Sequence, residues 1–364
     1  MIDTALLPPL FAQWIGEWLT DPLPRETHAT CDRCAMCAGD GQAGTDRVFF
    51  DRAIKCCTYL PRIPNFLAGR ILTDESDELA QGRATIDQRI TAGVAVTPFG
   101  LGIPAPYQLL YRNAEAFFGR AEGLRCPHYV VEGGRCGIWR HREATCATWF
   151  CKHEHGATGQ MFWAAIRELL RGIEHDLAAW CVLALVHDDR VLAALAVADQ
   201  AQGRLDAYAL DGLRNPEAHR ELWGHWAGRE REFFVEAGRL VDPLHWNDVL
   251  EICGPAVRVQ AAAVRAAHRQ LVDRSIPKIL RVGRYEVVRG SPDGSTLRTY
   301  SDFDPLHVPQ RLLDALPLFD GRQTADACEA ISRERGVVLT STQLREFIDF
   351  RILLPERQPP SEKQ

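Results

Sequence analysis

The sequence predicts a mainly α-helical protein with small β elements, and three observations predict it. Cysteines crowd residues 31–151, apolar residues recur at helical spacing from Phe162 onward, and short strand and turn signals return after Ile276. At roughly 100–200 residues per domain, a chain of 364 residues has room for two or three. The changes of texture set the boundaries. They give a cysteine-rich domain over 1–155, a helical region over 156–275, a small C-terminal domain over 276–354 and a disordered tail over 355–364.

At the N-terminus, Leu10, Phe11, Trp14, Ile15 and Leu19 fit a short amphipathic helix. This stretch does not read as a signal peptide. Asp3 sits where positive charge belongs, Pro8 and Pro9 break the apolar run, and Glu17 interrupts the apolar residues around it. No stretch approaches 18 uninterrupted apolar residues, so no membrane span and no membrane partner are expected. A cytoplasmic location is therefore the expectation. Hydrophobic residues make up 46%, enough for a sizeable core, and the net charge is −6. That charge argues against a nucleic-acid partner, which needs a basic surface to displace counterions. Basic side chains are nearly all Arg; Lys occurs at 55, 152, 278 and 363.

The cysteines fall into two groups. The first is Cys31-x2-Cys34-x2-Cys37, then, after eighteen residues, Cys56-Cys57; the second is Cys126-x9-Cys136-x9-Cys146-x4-Cys151. Between them Pro and Gly punctuate the chain from Pro61 to Pro104, and Ala92–Thr97 and Gln108–Tyr111 read as short strands. Phe162, Ile166, Leu169, Leu170, Ile173, Leu177, Trp180, Cys181 and Ala184 predict a helix of about six turns. Val191–Ala198 extends the helical texture after a break at Asp188-Asp189. Glu221–Leu240 and His245–Ala267 read as further helices, the second interrupted at Gly254-Pro255. This middle region is expected to form a helical bundle.

In the C-terminal part, Ile279–Val282 and Tyr285–Val288 read as a hairpin turning at Gly283-Arg284. Ser291-Pro292-Asp293-Gly294 is a second turn signal. Helical patterns cover Val308–Leu318, Thr324–Arg335 and Thr340 to about Arg351, with Ile352-Leu353-Leu354 as a closing strand.

Twelve cysteines without a secretion signal point to metal binding or redox chemistry rather than disulfides. Thiolate is the soft ligand that selects zinc, copper(I) or iron–sulfur clusters. Cys31, Cys34 and Cys37 match the first three positions of a bacterial ferredoxin-type motif, but Gly41 stands where its fourth cysteine belongs. A distant thiol must complete the site; Cys126, Cys56 and Cys57 are candidates. Neighbouring side chains such as Cys56 and Cys57 point in different directions, so both can be ligands of separate metals or separate cluster corners. Nine thiols exceed the four of one zinc or [4Fe–4S] site. His128, His141, His153 and His155 could replace a thiolate, whereas Cys181, Cys253 and Cys328, isolated in helical patterns, read as small buried apolar residues.

The order Cys31, Cys34, Cys37, Cys56-Cys57, Cys126-Pro127, Cys136-Gly137-Ile138-Trp139-Arg140, Cys146 and Trp149-Phe150-Cys151 resembles the zinc- or iron-chelating CxxCxxxCC family. The likeness covers about residues 31–151, a third of the chain, and its second half is the more specific. It departs from the family pattern in the insertion before Cys56, in Trp139 for Tyr, in Glu143 for Pro and in Trp149 for Phe. That family includes flagellin lysine N-methylases and proteins described as iron–sulfur oxidoreductases. The resemblance therefore implies a metal or cluster, with Cys31, Cys34, Cys37, Cys56, Cys57, Cys126, Cys136, Cys146 and Cys151 as candidate ligands. A methyltransferase would need S-adenosylmethionine, yet Gly133–Gly137 and Phe99–Gly102 read as turns rather than nucleotide loops, and the radical-enzyme spacing Cys-x3-Cys-x2-Cys is absent. Residues Leu312–Thr324, Gln343–Ile348 and Leu353-Leu354 resemble small winged-helix domains that bind peptides in modification pathways.

The residues support three readings. The first is an iron–sulfur protein, [4Fe–4S] in type, acting as a cluster-dependent enzyme on a protein or peptide substrate. The second is a structural zinc protein. The third is a thiol-based redox sensor or metal chaperone. In the enzyme reading, Tyr59, Arg140, Arg142 or Trp149 would line open space beside the cluster, an Arg holding a substrate carboxylate. Oligomeric state leaves no mark in the sequence.

Overall fold

Pro8-Pro9 starts the first helix, α1 (Pro9–Gly16), with proline in its first turn, where a missing N–H is harmless. Leu10, Phe11, Trp14 and Ile15 are buried on it, as the apolar spacing predicts, and Leu19 is buried just beyond its end. The computed structural model describes residues 6–26, 31, 34–37, 49–200 and 206–356. The expected tail beyond 356 lies outside them. The chain divides into two units: Met1–Leu23, Ala29–Trp149 and Ile166–Ala262 in the first, and Pro24–His28, Phe150–Ala165 and Ala263–Gln364 in the second.

In the first unit, β1 (Ile63–Pro64) leads into α2 (Asn65–Thr73), which is buried almost throughout. Then come α3 (Ala80–Ala92), β2 (Val96–Thr97), β3 (Gly100–Leu101) and α4 (Ala105–Asn113). The three strands form a small antiparallel sheet in the order β1-β3-β2. Asn65 anchors it: its Nδ2 donates to the carbonyls of Pro98 and Ala178, each at 2.9 Å. The expected strand over 92–97 shrinks to β2, because α3 runs to Ala92 and Gly93, in the left-handed region, caps it. Gln108–Tyr111 is helical, not a strand. Pro104 and Pro106 start α4 there, and the Tyr107 hydroxyl donates to the carbonyls of Thr58 and Leu124 at 2.5 and 2.6 Å.

The hairpin of β4 (Tyr129–Val130) and β5 (Arg135–Cys136) precedes α5 (Ala144–Thr148) and the long α6 (Gly156–Leu185). On α6, Ile166, Leu169, Leu170, Ile173, Leu177 and Cys181 are wholly buried in the first unit, the stripe the spacing predicts. Next come α7 (Asp189–Gln200), α8 (Ala207–Leu210), α9 (Pro216–Trp223), α10 (Glu230–Val241), α11 (Trp246–Cys253) and α12 (Pro255–Val272). The helix expected over 221–240 is broken in two, because Gly224 and Gly228 take positive φ and a 3-10 turn intervenes. α10 lies against α2, and the crossing is close because Gly69 and Gly238 meet there.

The second unit holds β6 (Leu280–Val282), β7 (Glu286–Ser291), β8 (Gly294–Arg298), β9 (Leu306–Pro309), α13 (Gln310–Leu313), α14 (Thr324–Arg335), α15 (Ser341–Asp349) and β10 (Leu353–Pro355). The expected hairpin at Gly283-Arg284 does not form. β6 pairs instead with β10, and β7 pairs with β8 around the Ser291–Gly294 turn. The helix expected over 308–318 starts two residues late, because β8 captures Leu306–Pro309, and it is split into α13 and a 3-10 turn over Leu316–Phe319 that contains Pro317. Around Phe319, Ile331, Phe347 and Ile352 these elements share one apolar core. α15 starts on a reciprocal cap between Thr340 and Gln343.

Candidate metal centre

Turns, not regular elements, position the early thiols. The Cys37 N–H donates to the Cys34 carbonyl at 3.1 Å, and Cys37 bridges to Phe50 in parallel. Residues 51–58 form successive turns, begun by the Asp51 carbonyl, which accepts from the N–H groups of Ile54 and Lys55. Lys55 takes φ +55°. Cys56 and Cys57 follow in the same run of turns, both half-buried.

The later group arrives on three supports. The Cys126 N–H donates to the Cys57 carbonyl at 2.6 Å, which joins the two groups through the backbone. Cys136 lies on β5 opposite Tyr129, and the Tyr129 hydroxyl donates to the Arg52 carbonyl at 2.7 Å. Cys146 sits in the first turn of α5. There the Glu143 carboxylate accepts from the N–H groups of Thr145 and Cys146 at 2.7 and 2.8 Å, and Glu174 accepts from that of Ala144 at 2.8 Å. Cys151 belongs to the second unit.

The thiols of the first unit act on one another. Burial pushes Cys31 up to about 12, and Cys56 and Cys136 push the same way. Burial, then Cys136, pushes Cys126 up to about 12. Cys146 rises through burial, Glu143, Cys136 and Cys126. The hydrogen bond between the adjacent thiols lowers Cys56 and raises Cys57. Cys37, half-buried and beside Cys34, rises to about 12. All twelve cysteines are free thiols. Most of the clustered ones therefore stay protonated at neutral pH, and a soft metal would have to displace those protons.

Two buried cations face these thiols. Lys55, one of four lysines in the chain, donates from Nζ to the carbonyls of Cys31 and Gly134, and its charge favours the thiolates of Cys31, Cys37 and Cys56. Arg142 stacks 3.3 Å from the Trp139 ring centroid and donates to the carbonyls of Trp139, Cys146 and Leu6 at 3.0–3.1 Å. Its charge favours the thiolates of Cys31, Cys56 and Cys136. Sequence reasoning offered Arg142 as one of four residues that could line space beside a cluster; its guanidinium donates to three backbone carbonyls. Sequence reasoning gave Lys55 and Glu143 no part in the site. The one signal for Lys55 was a rare residue type immediately before the Cys-Cys pair.

The histidines have other partners. His128 Nε2 accepts from Arg89 at 3.2 Å, so Nδ1 carries the proton toward Thr85 Oγ1 at 2.8 Å. Burial and Arg89 hold its pKa down at about 3. His141 Nε2 lies 2.9 Å from Asp74 Oδ2. His153 and His155 belong to the second unit, where they face Tyr300 and Asp349. Of the other proposed lining residues, Arg140 is 3.5 Å from Asp74, Tyr59 packs edge-on to Tyr111, and Trp149 is exposed beside Phe118.

Among the described residues, no three His, Cys, Asp or Glu side chains stand as a ready metal-binding group. The donor types nevertheless suit a soft metal: half-buried thiols around the buried Cys126, faced by two cations. No helix among the described residues is long and apolar enough to cross a membrane. No protein-family model, curated protein or solved structure matches the chain.

Proposed function

We propose that the protein is a thiolate metal protein holding an iron–sulfur cluster of [4Fe–4S] type. The observation that carries this reading is the backbone bond from Cys126 to Cys57, which joins the two cysteine groups, with the buried cations Lys55 and Arg142 bonded to the carbonyls of Cys31 and Cys146. Neighbouring thiols raise one another's ionisation cost, and a bound metal offsets that cost by displacing their protons. Two fixed cations offset the negative charge that several thiolates bring to a cluster. Cys34 and Cys37 complete the donor set of the first unit; Cys151, in the second unit, is a candidate from the sequence pattern alone. The cluster, when bound, would supply electron transfer or Lewis acidity.

Iron is preferred to zinc because of the Cys-x2-Cys-x2-Cys spacing and the likeness to the CxxCxxxCC family. The same likeness supports an activity on a protein or peptide, either oxidoreduction or methyl transfer, the latter with S-adenosylmethionine. We read residues 276–354 as a winged-helix-like module for that peptide, with α14 and α15 sharing a core with paired β6 and β10. Zinc as a structural staple is the second reading; the very short strands of the cysteine-rich segment favour it. Absorption and electron paramagnetic resonance spectra of anaerobically purified protein separate the two. A visible charge-transfer band bleached by dithionite supports the cluster. A colourless protein with stoichiometric zinc removes it.

A further inference from the structure

Two adjoining chambers in the first unit, among the elements from α3 to α10, differ in chemistry. The first, about 260 Å³, is walled by Val94, Val96, Ile103, Ala105, Ala218 and Leu222. The second, about 500 Å³, is lined by Thr91, Arg220, Gly228, Glu230 and Arg231. Arg214 and His219 line both. The apolar chamber is smaller than the roughly 300–1,000 Å³ of common ligand pockets, so it suits a short chain. Tyr208 and Leu213, 44% and 56% exposed, extend its wall to the surface.

The acids here are already engaged. Asp206 accepts from the Ala209 N–H and Asn215 Nδ2 at 2.7 and 3.1 Å. Glu230 accepts from the Gly228 N–H at 2.7 Å and faces His219 Nε2 at 2.8 Å. Asp87 takes Arg231 at 3.1 Å. Arg214 and Arg220 are left with no acidic partner among the described residues. Both are exposed: Arg220 Nε donates to the Pro216 carbonyl at 3.3 Å, and the stem of Arg214 lies over Gly93, its Cδ 2.5 Å from where a Cβ would stand. An apolar chamber that shares Arg214 with a polar one holding Arg220 suits a molecule with both characters.

We propose that these chambers form one binding site for a small amphiphilic anion, its short apolar chain in the first chamber and its carboxylate or phosphate head at Arg214 and Arg220. The site is independent of the thiol cluster. Calorimetric titration of the full chain with octanoate, octyl phosphate and octanol tests it. At least one anion binds saturably, one per chain, and octanol binds about tenfold more weakly or not at all. A carboxylate ligand shows as preference for octanoate, a phosphate ligand as preference for octyl phosphate. Arg214→Ala and Arg220→Ala each cost about tenfold in affinity with unchanged melting temperature, and Ala218→Leu, which fills the apolar chamber, removes binding. Octanol binding as well as the anions, arginine variants binding like the parent, or no binding by any probe would each overturn the proposal. If Ala218→Leu does not fold, the arginine variants decide.

Discussion

The backbone N–H of Cys126 donates to the carbonyl of Cys57 at 2.6 Å. This bond closes the distance between two cysteine groups far apart in sequence, and it involves neither sulfur. The two roles of Cys126 are therefore separable. Cys126→Ser keeps the backbone bond and removes the soft ligand. We expect the metal-free variant to melt close to the parent, while its metal affinity falls at least about tenfold. Melting curves in chelator, paired with competition against a metal indicator, check both halves. A variant that retains metal as the parent does removes Cys126 from the ligand set.

Lys55 ties the Cys31 segment to the β4–β5 turn, donating to the carbonyls of Cys31 and Gly134. Lys55→Met leaves both carbonyls without that donor and takes a positive charge from the thiols. The expected cost is about 2 kcal/mol. Cys31 should also alkylate faster in the metal-free variant, because the segment that buries it loses its tether. Unchanged labelling at Cys31, read by mass spectrometry, would contradict this role.

Asp74 carries a pH dependence. Burial opposes its ionisation, but hydrogen bonds from Ser76 and His141 overcome it and hold the carboxyl at about 2, below the usual 3.8. Burial meanwhile lowers His141, so at neutral pH the pair is a neutral imidazole donating to a carboxylate. A depressed acid stabilises the fold above its unfolded pKa and loses that contribution as pH falls through its folded pKa. The contribution is about 2 kcal/mol at neutral pH and fades between pH 3.8 and about 2. Asp74→Asn should cost up to about that much at pH 7 and nothing near pH 2. Denaturant titrations at both pH values test the sign; an equal cost at both would show that the carboxylate's charge is irrelevant.

At Gly69 a Cβ would stand 1.9 Å from the Phe234 carbonyl oxygen and 3.0 Å from the Gly238 nitrogen. These are backbone atoms of a packed helix, so nothing flexible can give way. Gly69→Ala should force α2 and α10 apart and cost about 3 kcal/mol. By contrast Gly123→Ala, where nothing lies within 4 Å, should leave the melting temperature nearly unchanged. Similar effects at the two sites would mean that the helix crossing is not the tight contact described.

The long helices were legible because burial on one face imposes a spacing. Ile166, Leu169, Leu170, Ile173 and Leu177 read correctly, as did the ends of α14 at Thr324 and Arg335. Short segments misread where a proline or a distant partner decides. Pro104 and Pro106 turn Gln108–Tyr111 into a helix, and β10 takes β6 away from the hairpin that local signals favoured. In the thiol cluster the sulfurs were legible as residue types. Their surroundings were not: no spacing rule brings Lys55 to Gly134, or Arg142 to the Leu6 carbonyl.

If the thiols of the first unit hold a metal, a count of iron, acid-labile sulfide and zinc per chain reveals it. Protein purified without oxygen and passed through a desalting column should retain several irons per chain with matching sulfide. Cys31, Cys34, Cys37, Cys56, Cys57, Cys126, Cys136 and Cys146 should then resist alkylation until the metal is removed. A chain that retains neither iron nor zinc, with those eight thiols alkylating at the same rate before and after chelation, contradicts the proposed metal centre.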